Sequence, residues 1–196
     1  MDGRDNEGRF ARHTPQTTTG KASKLLSSLW ERHGDDVGVM VRTMASSPAV
    51  LGGYLELSRA MKRSKLPRPI AERISLAIQQ RLGCAMCLAA HTAAAQAAGV
   101  PADEIAAARR GESSDPRLAA ILKFAVHAHA EPASIGAAAI DTLREHGFSD
   151  NQILDVVGLV SLNVLTGTFN LVAGLEPADT ASTTTTSTTT TTRRAS

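Results

Sequence analysis

Aromatic side chains are scarce in this sequence: one Trp, one Tyr and four Phe among 196 residues. That scarcity, with few β-branched runs, argues against a sheet, whose faces such side chains fill. Cysteine is nearly absent too. The only two, Cys84 and Cys87, exclude a disulfide framework, and a bond between them would close too small a loop to stabilise much. A strong charge of one sign is missing. The formal net charge is +2, and part of the basic excess sits at the two ends, so the body lacks the electrostatic footprint of a nucleic-acid binder. The opening Met1-Asp2-Gly3-Arg4-Asp5 lacks the apolar run of a signal peptide. No apolar stretch of about 20 residues suggests a membrane span. The expected location is cytoplasmic, with no nucleic-acid or membrane partner.

What is present is alanine and leucine, punctuated by proline and glycine, which favours an all-α fold. Residues 1–22 mix charge, Gly, Thr and Pro without apolar periodicity and are expected to be disordered. The Thr-rich residues 179–196 are expected to be disordered as well. Between them, residues 23–178 read as one helical domain, long enough to bury roughly 70% of its chain surface.

Within that domain, Leu25, Leu26, Leu29 and Trp30 recur at helical spacing up to Gly34. A second helix is expected from near Asp35, carrying Val37, Met40, Val41 and Met44, and Pro48 opens a third. Pro67 and Pro69 introduce a helix through Arg81 with Ile70, Ile74, Ala77, Ile78 and Leu82 as its apolar stripe. Gly83 breaks it, and the next helix begins with the cysteines and stops at Gly99. Ala102 to Arg110 follows, with acidic residues first and basic residues last, as the helix dipole favours. Asp115-Pro116 opens another that ends at Pro132, and Ile135 to His146 forms the next. Ser149 or Asp150 caps the last helix, apolar almost all round and so expected to be the most buried. His127 and His129 are two apart and cannot jointly hold a metal from a regular helix.

The chemistry lies in Gly83-Cys84-Ala85-Met86-Cys87-Leu88-Ala89-Ala90-His91. On a helix, Cys84 and Cys87 share a face, and so do Cys87 and His91. The first turn carries free N–H groups and the positive end of the dipole, which favour a thiolate. An ordinary thiol with a pKa of about 8.5 is only about 3% ionised at pH 7, whereas a pKa of about 6.5 gives about 75%. A thiolate that attacks a peroxide becomes a sulfenic acid, and a second thiol three residues away can condense with it to a disulfide. The departing alkoxide needs a proton, which a His–Glu pair such as His91 and Glu72 can relay. A metal site using Cys84, Cys87, His91 and Glu72 is the competing use of the same residues. A redox-inert helical oligomer with buried cysteines is a third reading.

The pattern Glu72, eleven residues, Cys84-x2-Cys87, three residues, His91 resembles the alkylhydroperoxidase D-like group of the carboxymuconolactone decarboxylase superfamily. The text AERISLAIQQRLGCAMCLAAHTAAAQAAGV is similar to that group throughout. DVVGLVSLNVLTGTFNLVAGLEPAD is similar to the last helix of its uncharacterised peroxidase-related members. The resemblance covers roughly residues 35–178. It implies an AhpD-like fold with a central helical hairpin, assembled as a homo-oligomer, and thiol-dependent peroxide reduction without a cofactor or metal. Its partners would be a peroxide substrate and a thiol reductant or redox partner protein. By the family pattern Cys87 forms the sulfenic acid, Cys84 is its disulfide partner and proton donor, and His91 with Glu72 forms the relay. Two positions depart from relatives: some members carry a histidine between the cysteines, where Met86 stands, and relatives of the last helix often carry one after Phe169-Asn170, where Leu171 stands. Decarboxylase members generally lack the cysteine pair, which argues against that activity.

Overall fold

The computed structural model describes residues 9–177, and all of the regular structure among them is helical. Nine α-helices follow one another: α1 Gly20–His33, α2 Val39–Met44, α3 Pro48–Met61, α4 Arg68–Leu82, α5 Ala85–Ala97, α6 Ala102–Arg110, α7 Pro116–Ala130, α8 Ala137–Glu145 and α9 Asp150–Ala173. Their limits follow the punctuation. Proline stands in the first turn of α3, α4 and α7, where its missing N–H costs nothing. Ser149 caps α9 in a capping box with Gln152. Gly83, left-handed at φ 75°, ends α4 and turns the chain into α5, a conformation other residues adopt only with strain.

The main core forms around α4, which packs against α5, α6, α7 and α9. Ile74, Leu76, Ala77 and Ile78 are fully buried there, among Ile121, Leu122, Leu143 and Val156 of later helices. A smaller core holds Ala22, Leu26, Met44, Ala45 and Leu51 of the N-terminal helices, with Phe169 of α9 packed against it. α4 and α5 fold back on one another through Gly83 as a helical hairpin. Arg73 of α4 and Glu104 of α6, both nearly buried, approach to 3.5 Å.

The structure differs from expectation in several places. The second helix begins at Val39, because Gly34–Asp36 forms a separate tight turn and Gly38 precedes the helix. Asp and Gly compete with helix through turn conformations. Residues 9–22, expected to be disordered, lie against the body. Arg9 N–H donates to Ala173 O at 3.0 Å, His13 N–H to Arg42 O at 3.1 Å, and α1 already starts at Gly20. Backbone hydrogen bonds, which apolar periodicity does not register, hold this segment. The expectations for residues 1–8 and 178–196 lie outside the described residues.

The third and fourth differences concern α9. It is not the most buried helix; α4 is, with eight buried positions in 15 residues against eight in 24. Leu154, Val157, Leu171 and Val172 of α9 are exposed. An all-apolar pattern has no period to mark its inner face, so burial cannot be apportioned from it. By length and composition α9 could also cross a membrane. Here its inner face packs on α3, α4, α5, α7 and α8 and carries the buried amides Asn163 and Asn170.

Candidate active site

The hairpin brings all four candidate residues to one region. Cys84 is the N-cap of α5 rather than part of its first turn, and its Sγ accepts the Cys87 N–H at 3.2 Å. That contact satisfies one of the free amides at the helix start. Cys84 and Cys87 are joined as a disulfide. One turn further along α5, His91 Nδ1 meets Glu72 Oε2 of α4 at 2.8 Å. A carboxylate only accepts, so Nδ1 carries the hydrogen and donates, and in the neutral ring Nε2 is left with the free lone pair. Arg68, one turn before Glu72, lies 3.6 Å from the other carboxylate oxygen and is largely exposed, so it contributes little.

Beside these residues lies a cavity of about 970 Å³. Cys87, His91 and Glu72 line it; Cys84 does not. Cys87 is 6% exposed and Cys84 1%, so of the two cysteines Cys87 is the one on the cavity side. The remaining walls are mainly apolar, from Met40 and Val41 of α2, Tyr54 and Met61 of α3, and Leu159 and Leu162 of α9. Ser75, Asn163, Thr166 and Asn170 add a polar strip.

That strip is built on a buried hydrogen-bond bolt between α4 and α9. Gln79 Nε2 donates to Asn163 O at 3.0 Å and to Asn163 Oδ1 at 2.9 Å. Asn163 Nδ2 donates to Ser75 Oγ at 3.1 Å and Leu159 O at 2.9 Å. The Gln79 backbone carbonyl accepts from Gly83 N at 3.0 Å and Cys84 N at 3.2 Å. The residue that fastens α4 to α9 therefore also fixes the start of the cysteine turn. A second amide, Asn170, is 3% exposed and donates from Nδ2 to Cys87 Sγ at 3.2 Å. Sequence reasoning passed over Asn163 and Asn170. The available signal was two amides seven residues apart, hence on one face, in an otherwise apolar helix.

Among the described residues no three His, Cys, Asp or Glu side chains gather as a metal-ligand set. His127 and His129 lie on α7, away from this cavity, and His127 Nε2 is 2.5 Å from Ser134 Oγ.

Comparison with known proteins agrees with this architecture. The model of the carboxymuconolactone decarboxylase family matches residues 48–130, which span α3 to α7. An uncharacterised peroxidase-related protein from Ralstonia eutropha JMP134, described as an alkylhydroperoxidase AhpD core, superposes with a TM-score of 0.75 at 20% identity, over 89% of this chain and 94% of that one. A second uncharacterised peroxidase-related protein, from Silicibacter sp. TM1040, gives 0.73 at 20% identity, over 91% and 96%. The debrominase Bmp8 gives 0.61 at 17% identity, over 77% and 82%. Among curated proteins no sequence matches. At these identities the structural likeness establishes the all-α AhpD-like fold.

Proposed function

We propose that this chain, a member of the carboxymuconolactone decarboxylase superfamily in its AhpD-like branch, is a thiol-dependent peroxidase. The family supports a peroxidase-related or decarboxylase-type role. The observation that carries the finer reading is the cysteine pair with one residue, Cys87, on the cavity wall and the other, Cys84, off it, next to a hydrogen-bonded His–Glu pair.

In the reduced protein the Cys87 thiolate attacks the terminal oxygen of a hydroperoxide. The S–O bond forms, the O–O bond breaks, and the electron pair leaves on the alkoxide. A proton from the Cys84 thiol, passed through His91 and Glu72, converts the alkoxide to alcohol. The Cys84 thiolate then attacks the sulfenic sulfur, the S–OH bond breaks and the disulfide closes, and the departing hydroxide leaves as water by taking up the proton that Cys87 released on ionising. An external dithiol or a redox partner protein restores both thiols. The disulfide seen between Cys84 and Cys87 is the oxidised form in this cycle. A cavity of about 970 Å³ with mainly apolar walls suits an organic hydroperoxide with an apolar body better than hydrogen peroxide alone.

The reading includes assembly of like chains, supported by the exposed apolar face of α9 and the exposed Ala85, Ala89, Ala93 and Ala97 on α5. Light scattering tests it, and a single-chain mass contradicts it. For the activity, cumene hydroperoxide consumption by the dithiol-reduced protein should vanish in Cys87→Ser. Undiminished consumption in that variant defeats the peroxidase reading.

A further inference from the structure

The geometry points to Asn170 as a further catalytic residue: its amide N–H holds the Cys87 sulfur, and its carbonyl oxygen receives the O–H of a hydroperoxide in the cavity. The second half rests on the peroxidase reading; the first does not.

The two buried amides of α9 differ in a way that packing does not explain. Asn163 is satisfied at both ends, donating to Ser75 and Leu159 and accepting from Gln79. Asn170 is as deeply buried, yet Nδ2 is spent on a sulfur 3.2 Å away, and Oδ1 is buried with no hydrogen-bond partner among the described residues. An unsatisfied buried carbonyl costs stability that an apolar side chain at the same position would avoid. Asn170 lines the cavity together with Cys87, and its Oδ1 is itself buried, so a donor that arrives with a ligand meets that oxygen once the amide shifts toward the cavity. A hydroperoxide carries one such donor, on the oxygen the sulfur must attack.

The two ends of the amide then act on the two reacting atoms. The Nδ2–H group is a neutral donor whose bond strengthens when the sulfur is charged, so it favours thiolate over thiol. The Oδ1 acceptor holds the O–H and brings the terminal oxygen alongside the sulfur. As the S–O bond forms and the O–O bond breaks, the electron pair leaves on the alkoxide. The hydrogen held by Oδ1 stays on the transferred oxygen and becomes the sulfenic acid hydrogen. The amide neither gains nor loses a proton.

The test uses Cys84→Ser as background, which leaves Cys87 as the only thiol, with water feeding the His91–Glu72 relay in place of the Cys84 proton. Serine is itself a strong N-cap, so the acceptor for the Cys87 N–H is kept. In this background Asn170→Asp keeps the shape but replaces the donor by an acceptor, and Asn170→Ala removes both ends with little risk of steric clash. Circular dichroism and thermal melting confirm that each variant is folded. Alkylation of Cys87 by iodoacetamide is followed against pH. The expected result is a midpoint raised by about one to two pH units in Asn170→Ala, and further in Asn170→Asp. Superimposable profiles in folded variants overturn the donor role. At a pH above all midpoints, sulfenate formation from cumene hydroperoxide is trapped with dimedone. Asn170→Ala should react about tenfold more slowly despite full ionisation, and equal rates overturn the acceptor role. A background protein that alkylates normally but forms no sulfenate overturns the peroxidase reading, and the acceptor role with it. The alkylation profiles still decide whether Asn170 tunes the sulfur.

Discussion

Glu72 shows how far a single residue's meaning depends on what it meets. In sequence it is a glutamate in the first turns of a helix, where most such residues face solvent and complement the dipole. In the fold its carboxylate is mostly buried and bonded to His91 Nδ1 at 2.8 Å. Glu72→Gln keeps the shape but leaves His91 without a charged partner to hold and relay a proton. The expected outcome is a loss of peroxide turnover of about 10²-fold, with thermal stability changed by less than about 1 kcal/mol. Steady-state rates set beside a melting curve check this, and a fall in stability without a fall in rate assigns Glu72 a structural role only. The four candidate residues were legible because their spacing on a helix carries information. Asn170 was not, because it approaches Cys87 from 83 positions away, and no local pattern encodes that contact.

Helices were legible wherever Pro, Gly or a cap marked their ends, as at Pro48, Gly83, Pro116 and Ser149. What could not be read was which side of α9 faces inward, because apolar residues surround it. Glycines on that helix give a discriminating check. A Cβ at Gly167 would lie 2.5 Å from Gln79 Oε1 and 2.6 Å from Leu82 Cδ1. Gln79 is pinned through its other amide atom to Asn163 and has no room to yield. A Cβ at Gly158 would meet Met61 Sδ at 2.8 Å, the flexible end of a half-buried side chain that can swing aside. Gly167→Ala should therefore destabilise by about 1–3 kcal/mol. Gly158→Ala should be neutral or gain up to about 1 kcal/mol from helix propensity. Chemical denaturation of both variants measures the contrast, and similar midpoints refute the α4–α9 bolt. Because Gln79 also anchors the cysteine turn, Gly167→Ala should slow the thiol chemistry as well.

For the molecule as a whole, the hydrophobic core leaves its pH response to a few paired charges. Glu104 accepts from Ser113 Oγ at 2.6 Å and from Ser114 Oγ and N at 2.7 and 2.9 Å. With those hydrogen bonds first, and Arg73 adding attraction, its carboxyl is lowered from 4.5 to about 2. Folding therefore favours the ionised form. Its contribution is complete above about pH 4.5 and is lost as pH falls toward about 2. In Glu104→Gln, stability near neutrality should drop by about 2 kcal/mol, and the fall between pH 5 and 2 should be shallower than in the parent. Melting temperature against pH checks both, and parallel curves refute the assignment. The N-terminal segment also depends on the whole molecule. Residues 9–19 carry no apolar stripe, and only the assembled body supplies the carbonyls of Arg42 and Ala173 that they use.

Intact mass shows whether Cys87 and Cys84 cycle between thiols and a disulfide through a sulfenate. The dithiol-reduced protein is treated with stoichiometric cumene hydroperoxide and weighed. The expected result is the loss of two hydrogens in the parent and the gain of one oxygen in Cys84→Ser. Unchanged masses in both proteins would mean that the cysteine pair does not reduce the peroxide.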